Sequence, residues 1–320
     1  MSKKNICEPD LDKVLLMIAK EREGRDDFNI EKYDVKLEEM IFELEARIDS
    51  EKPDEIISEI NSYLFEEESF EVGNSTLITE VLDKKEGSCQ GLASLYLALT
   101  EKLDLPFYGV RVPEHFIVRW ENEELKRNVD PIDEGVEYSD LKYKDKYDIS
   151  EESIENEVYL KNLSKEHVIA SVLCNRGLEY RKEGDIDKAI NDFEKAIDLD
   201  PKHAEAYNNV GVAYSMKGHY ENAISCYEKS LFLNPKDAGV YINRGNLHRN
   251  RGDIDKALSD YQRVFELDEE NIEAYNNRGI AYIKKGDIDK AINDFEKAID
   301  LDPENPHVHQ NLEAASQDGR

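Results

Sequence analysis

The chain has 320 residues, 39% of them apolar, with a net charge of −30 and a pI near 4.6. That length suits two domains with cores of their own. The acidic excess is shared by both halves and repels phosphate backbones and anionic lipid, which sets nucleic acid and membrane surfaces aside as partners. Four cysteines (Cys7, Cys89, Cys174, Cys226) lie far apart, without a CxxC pair or a Cys/His spacing suited to zinc, so no disulfide framework, metal site or cofactor is expected. The first ten residues lack an apolar signal core, and a reducing cytoplasm is the expected location.

Apolar residues at helical spacing predict three helices near the start. Leu11, Val14, Leu15, Ile18 and Ala19 follow Pro9-Asp10 and are closed by Gly24; Leu37, Met40, Ile41, Leu44 and Ile48 run out before Pro53; Ile56, Ile57, Ile60 and Leu64 follow Pro53-Asp54. They read as a support layer whose apolar stripes need something to pack on. Gly73-Asn74 marks a turn, and Thr76 to Leu82 reads as a short helix. Next comes Gly87-Ser88-Cys89-Gln90-Gly91, then Leu92, Leu95, Tyr96 and Leu99 at i, i+3, i+4 and i+7. Cys89 therefore falls in the first turn of a helix, where unpaired N–H groups and the helix dipole favour an anion and make the sulfur nucleophilic. A buried structural cysteine is the competing reading.

After Leu105-Pro106 the alphabet changes. Phe107 to Val112, His115 to Trp120 and Leu125 to Asp130 are rich in aromatic and β-branched residues at period two, and read as three strands. If Trp120 and Leu125 close the turn Glu121-Asn122-Glu123-Glu124, His115 falls directly opposite Asp130 on one face, within reach for a carboxylate to orient an imidazole. Cys89, His115 and Asp130 are then the parts of an activated thiol: a base takes the proton and an acid orients the base. His115 is the one histidine before residue 167. A half-buried strand histidine bonded to a carbonyl is the alternative. The segment from Pro131 to Leu163, with Tyr138, Tyr143, Tyr147 and Tyr159, reads as the domain's closing segment, its tyrosines as packing.

The runs Cys89 to Leu99, Leu105 to Val110 and Val112 to Arg119 resemble the transglutaminase-like superfamily and, more narrowly, its bacterial SirB-type branch, whose members are often fused to tetratricopeptide repeats; the similarity extends from about Ile30 to Leu163. The resemblance implies a papain-like Cys-His-Asp triad for acyl transfer at amide bonds, matched here by Cys89, His115 and Asp130. Many members of the branch have lost the cysteine, which this chain keeps. Glu114 stands where the branch commonly has glycine. The amide of Cys89, joined by Gln90, is the expected oxyanion donor.

The remaining half repeats every 34 residues: Gly177, Gly211, Gly245 and Gly279; Ala189, Ala223, Ala257 and Ala291; Gly184, Gly218, Gly252 and Gly286. Gly184 to Pro201 recurs letter for letter at Gly286 to Pro303. The pattern is similar to the tetratricopeptide repeat, two antiparallel helices per unit. The small residues let paired helices approach, and Phe193, Tyr227, Tyr261 and Phe295 fill the seams between units. Repeats are expected at 170–203, 204–237, 238–271 and 272–305, with a capping helix from Pro306 to about Ala315. First helices of such units line a concave face, which places Asn175, Asn209, Asn243 and Asn277 in one column, joined by Asn208, Asn246 and Asn276. These amides can bond the main chain of an extended peptide or brace neighbouring helices.

The expected architecture is an α+β transglutaminase-like (papain-like cysteine) domain over residues 1–165, followed by an all-α tetratricopeptide solenoid over 166–320. The expected activity is that of a cysteine-dependent amide hydrolase or acyltransferase whose repeats bind a protein or peptide. The rival is a scaffold with a catalytically silent first domain.

Overall fold

The structure is a computed structural model that describes residues 9–24, 28–133, 135–155 and 157–318; Cys7 lies outside them. The chain divides into two compact units, 1–203 and 204–320.

The first unit begins with helices α1 (Leu11–Glu23), α2 (Ile30–Arg47) and α3 (Pro53–Asn61), the last running on as a π-helical turn over Ser62–Glu67. A two-strand parallel sheet follows, β1 (Glu71–Val72) with β2 (Glu86–Gly87), around helix α4 (Ile78–Lys84). Helix α5 (Cys89–Lys102) is buried from Gln90 through Thr100 and packs against α1, α2 and α4. The three expected strands form as β3 (Phe107–Val112), β4 (His115–Glu121) and β5 (Lys126–Asp130). Two short strands complete an antiparallel sheet of order β6-β5-β4-β3-β7: β6 (Val136–Tyr138) and β7 (Asn162–Leu163). Helices α6 (Asp140–Lys146) and α7 (Glu151–Glu155) lie between them in sequence. The sheet packs on α5 through β3 and β4.

This unit also takes in the first repeat, α8 (Lys165–Glu183) and α9 (Ile186–Leu199). Two buried arginines tie it there. Arg111 of β3 donates to Ser171 Oγ at 3.0 Å and meets Asp200 at 2.8 Å. Arg176 of α8 donates to the carbonyl of Ile18 in α1 at 2.7 Å and grips Asp192 of α9 at 2.6 and 2.8 Å. Removing one partner of such a buried pair costs about 3–5 kcal/mol, because an uncompensated charge is left behind.

The second unit holds three further helix pairs: α10 (Ala204–Met216) with α11 (Tyr220–Leu233), α12 (Ala238–Arg251) with α13 (Ile254–Leu267), and α14 (Ile272–Lys285) with α15 (Ile288–Leu301), ending in α16 (Pro306–Asp318). The rings of Phe193, Tyr227, Tyr261 and Phe295 lie against the glycine of their own helix pair and fill the space inside it. A Cβ built on Gly245 would sit 2.8 Å from the Tyr261 ring, and one on Gly279 2.6 Å from the Phe295 ring.

Glycine to alanine in a helix normally gains up to about 1 kcal/mol. Phe295 is fully buried and cannot retreat, so Gly279→Ala should instead lower unfolding stability by about 1–3 kcal/mol in a denaturant titration followed by helicity. A gain in stability would show that the ring gives way.

Candidate active site

Ser88 stands just before α5, and its hydroxyl accepts from Gly91 N–H at 3.1 Å, which caps the helix and leaves Cys89 as its first residue. Gly91 is required by a close approach: a Cβ there would lie 2.2 Å from the carbonyl oxygen of Ser75, which itself accepts from Ser88 N–H at 2.9 Å. These contacts set the height of the first turn against the loop before α4. Cys89 is partly exposed, while the residues that follow it are buried. Gln90 is buried, and its side-chain amide donates to Ser94 Oγ at 3.2 Å.

His115 opens β4 after the two-residue turn Pro113-Glu114, with Val112 and His115 paired across it. Glu114 has φ of +57°, the left-handed region that a turn of this kind demands at its third position and that glycine would enter with least strain. The departure from glycine therefore leaves the turn intact at a local backbone cost.

The β4–β5 register differs from the expected one. Asn122 Oδ1 accepts from the N–H groups of Glu124 and Leu125 at 3.1 and 2.8 Å, so the turn runs over 122–125 and the ladder closes on Glu121 and Lys126. Asp130 is therefore diagonal to His115, not directly opposite. The slip is by two places in the pairing, which preserves the face, and a diagonal neighbour remains within side-chain reach. Asp130 meets His115 Nε2 with Oδ2 at 2.8 Å and Oδ1 at 3.0 Å, both side chains being buried.

Burial alone would push the His115 imidazole down, but hydrogen bonds to Asp130 and Cys89, and the charges on both, outweigh it and raise the pKa from 6.5 to about 9. The structure thus brings Cys89, His115 and Asp130 together. With Nε2 turned to the carboxylate, Nδ1 is the ring nitrogen left for the sulfur.

The sequence reading missed two neighbours. Tyr143 donates its hydroxyl to Asp130 Oδ2 at 3.0 Å, and the Tyr147 ring stacks on His115 with centroids 6.2 Å apart. Their spacing of four residues, with Tyr147 as the C-cap of α6, signals that the two rings share a side of the helix but not what they meet there. Arg119, 1% exposed, binds Asn128, the Leu160 carbonyl, Asn162 and Asp140, and so locks β4 to β5, β7 and the start of α6.

The seven asparagines all lie on first helices of repeats: Asn175 on α8, Asn208 and Asn209 on α10, Asn243 and Asn246 on α12, Asn276 and Asn277 on α14. Asn243 donates to Asn208 at 3.1 Å, and Asn276 accepts from Asn311 of α16 at 2.8 Å. Asn246 accepts from Tyr261, and Asn277 from Arg249. Among the described residues no group of acidic, histidine and cysteine side chains could hold a metal, and no helix is long and apolar enough to cross a membrane.

A histidine held above its unfolded value contributes stability that is fully present below pH 6.5 and is lost as pH rises through about 9. The His115 resonances should titrate near 9, and Asp130→Asn should bring the midpoint down toward 6.5. A midpoint unmoved by that change would show that the carboxylate does not hold the proton.

Residues 31–173 match the family model described as transglutaminase-like superfamily. Residues 177–218 and 245–286 match a model described as TPR repeat, and 204–237 and 272–305 one described as tetratricopeptide repeat. A comparison with curated proteins returned no match. Among solved structures, MamA is 27% identical over 47% of this chain and 81% of its own, with a TM-score of 0.43. Pseudomonas aeruginosa PilF is 21% identical over 49% of this chain and 72% of its own, TM-score 0.46. The first TPR of Spaghetti (RPAP3), bound to an HSP90 peptide, is 27% identical over 37% and 94%, TM-score 0.36. The chain is thus a transglutaminase-like domain followed by tetratricopeptide repeats.

Proposed function

We propose that the protein is a cysteine-dependent amide hydrolase or acyltransferase whose repeats hold a protein partner or substrate. The observation that carries this reading is the His115 imidazole, bonded to Asp130 through Nε2 and near enough to Cys89, at a helix N-terminus, for the two to interact. The narrower assignment, a cytoplasmic enzyme of the SirB-type branch, draws its support from the Cys89 to Leu99 and Val112 to Arg119 runs and the sparse cysteines.

In this reading His115 holds the Cys89 proton while the sulfur attacks the carbonyl carbon of an amide. The oxyanion so formed meets the first-turn N–H of Cys89. Collapse breaks the C–N bond, the amine leaves with the proton from His115, and a thioester remains on Cys89. Water or a second amine then attacks the thioester, His115 takes up its proton, and the thiol is restored. Water gives hydrolysis; an amine gives transfer.

For the repeats, the finer reading is an extended, basic segment lying along the first helices. The bonds described for Asn208, Asn243, Asn246 and Asn276 each use one donor or acceptor of the amide, and an amide offers more than one. The acidic surface favours a basic partner.

Iodoacetamide at neutral pH should label Cys89 faster than Cys174, which is buried, and faster than Cys226. His115→Ala should slow that labelling by about tenfold or more, and Asp130→Asn by less, because the acid acts through the base. Equal rates at all three cysteines, unmoved by either substitution, would leave the first domain a silent scaffold. For the partner, Asn209→Ala with Asn243→Ala should weaken binding of a basic peptide at unchanged melting temperature; a lower melting temperature with unchanged binding would assign the amides to bracing.

A further inference from the structure

Helix α6 adds a layer to the candidate site that the chemistry above leaves unused. Tyr143 is 1% exposed, and its hydroxyl meets the same Asp130 oxygen that faces His115 Nε2. The backbone N–H of Ile132 approaches the other oxygen at 3.3 Å. The helix is anchored where it matters. Ser139 caps it by accepting from Lys142 N–H at 3.2 Å, and Asp140 in its first turn is held by Arg119 of β4 at 2.5 Å and Asn128 of β5 at 2.7 Å. Those two strands carry His115 and Asp130, so the tyrosines and the pair they touch are fixed to one frame.

We propose that Tyr143 is a positioning residue of this site, its hydroxyl holding the Asp130 carboxylate in the orientation that meets His115, while Tyr147 covers the imidazole face. The consequence for turnover rests on the cysteine-enzyme reading, whereas the consequence for the imidazole does not. A buried carboxylate needs hydrogen-bond donors on the lone pairs that its main partner leaves unused. Tyr143 is suited to supply one as a neutral O–H, since burial, reinforced by the Asp130 charge, pushes its ionisation well above the usual range. The groups facing His115 are Asp130 from β5, Cys89 from α5, Tyr143 from α6 and Tyr147 just past the end of α6. Behind them, Tyr138 of β6 packs edge-on against the Tyr143 ring and is bonded to Asp133.

Tyr143→Phe keeps the ring and removes only the donor. The carboxylate, still bonded to His115 Nε2 and the Ile132 N–H, then carries more uncompensated charge toward the imidazolium. The His115 midpoint should therefore move upward by about half to one unit. A less acidic imidazolium gives its proton to a departing amine more slowly, so kcat on an amide substrate should fall several-fold with KM little changed.

The test is the His115 titration by NMR in the full-length protein, for wild type, Tyr143→Phe, Asp130→Asn and the double variant. An upward shift in Tyr143→Phe that vanishes in the Asp130→Asn background supports positioning through the acid. An unchanged midpoint in folded Tyr143→Phe overturns it and returns the tyrosine to packing. Should that variant fail to fold, 3,5-difluorotyrosine placed at position 143, a stronger donor of nearly the same shape, should move the midpoint downward; no movement overturns the proposal. Because the midpoint is read without turnover, a shift in a protein that cleaves no amide would sink the enzyme reading and support the positioning role.

Discussion

A helix with no solvent face dictates the first unit. From Gln90 to Thr100 α5 is buried all round, and a helix apolar on every side must be enclosed by other elements. The three N-terminal support helices are not all there for the same reason: α1 and α2 wall α5 directly, while α3 packs on α2. The sheet and the first repeat close the remaining sides through β3, β4 and α8. Burial of Leu92, Leu95, Tyr96 and Leu99 stabilises by about 1.5–3 kcal/mol for each aliphatic side chain, enough for the surrounding layers to be organised by this one element. Enclosure also leaves one place where α5 can meet a ligand, its first turn, and that is where the cysteine stands.

The buried arginines inside this shell are specifically partnered. Arg111, Arg119 and Arg176 are each nearly inaccessible, and each has an acid of its own: Asp200, Asp140 and Asp192. A buried guanidinium that loses its acid is far costlier than an apolar residue in the same place, so such pairs penalise alternative packings. The Arg–Asp pair sixteen residues apart recurs in three repeats, as Arg176–Asp192, Arg244–Asp260 and Arg278–Asp294. The second repeat has Val210 and Cys226 at those positions. The pair is thus a feature of the repeat that the first unit has extended, since Arg176 also reaches Ile18 and Glu21 of α1.

Local pattern carried much of the fold. Period two marked β3, β4 and β5, and the glycine and alanine spacing marked every helix of the repeats, because those signals arise from residues that touch their near neighbours. What escaped were features set by distant partners. The strands β6 and β7 are two or three residues long and exist because β5 and β3 offer them an edge. The β4–β5 register turned on one asparagine side chain folding back on its own turn. In the site, the face shared by His115 and Asp130 was legible because parity survives a two-place slip. Tyr143 was not: nothing in its own sequence neighbourhood points to a carboxylate thirteen residues earlier.

The letter-for-letter duplication has a kinetic consequence. Helices α9 and α15 are the same fourteen residues in two places, so in the unfolded chain each presents to any first helix an identical stripe of Ala, Ile and Phe and an identical aspartate. Arg176 and Arg278 each find an equally good acid in either copy. Loop closure favours the nearer copy only modestly, since its entropic penalty grows with the logarithm of the separation. Discrimination must then come from residues outside the duplicated stretch: Lys202, which follows the first copy, pairs with Glu157, whereas Glu304 stands at that place after the second. The buried arginines that fasten the first repeat to its domain therefore cannot tell the two copies apart, and helix identity during folding is carried by the flanking residues and by chain connectivity.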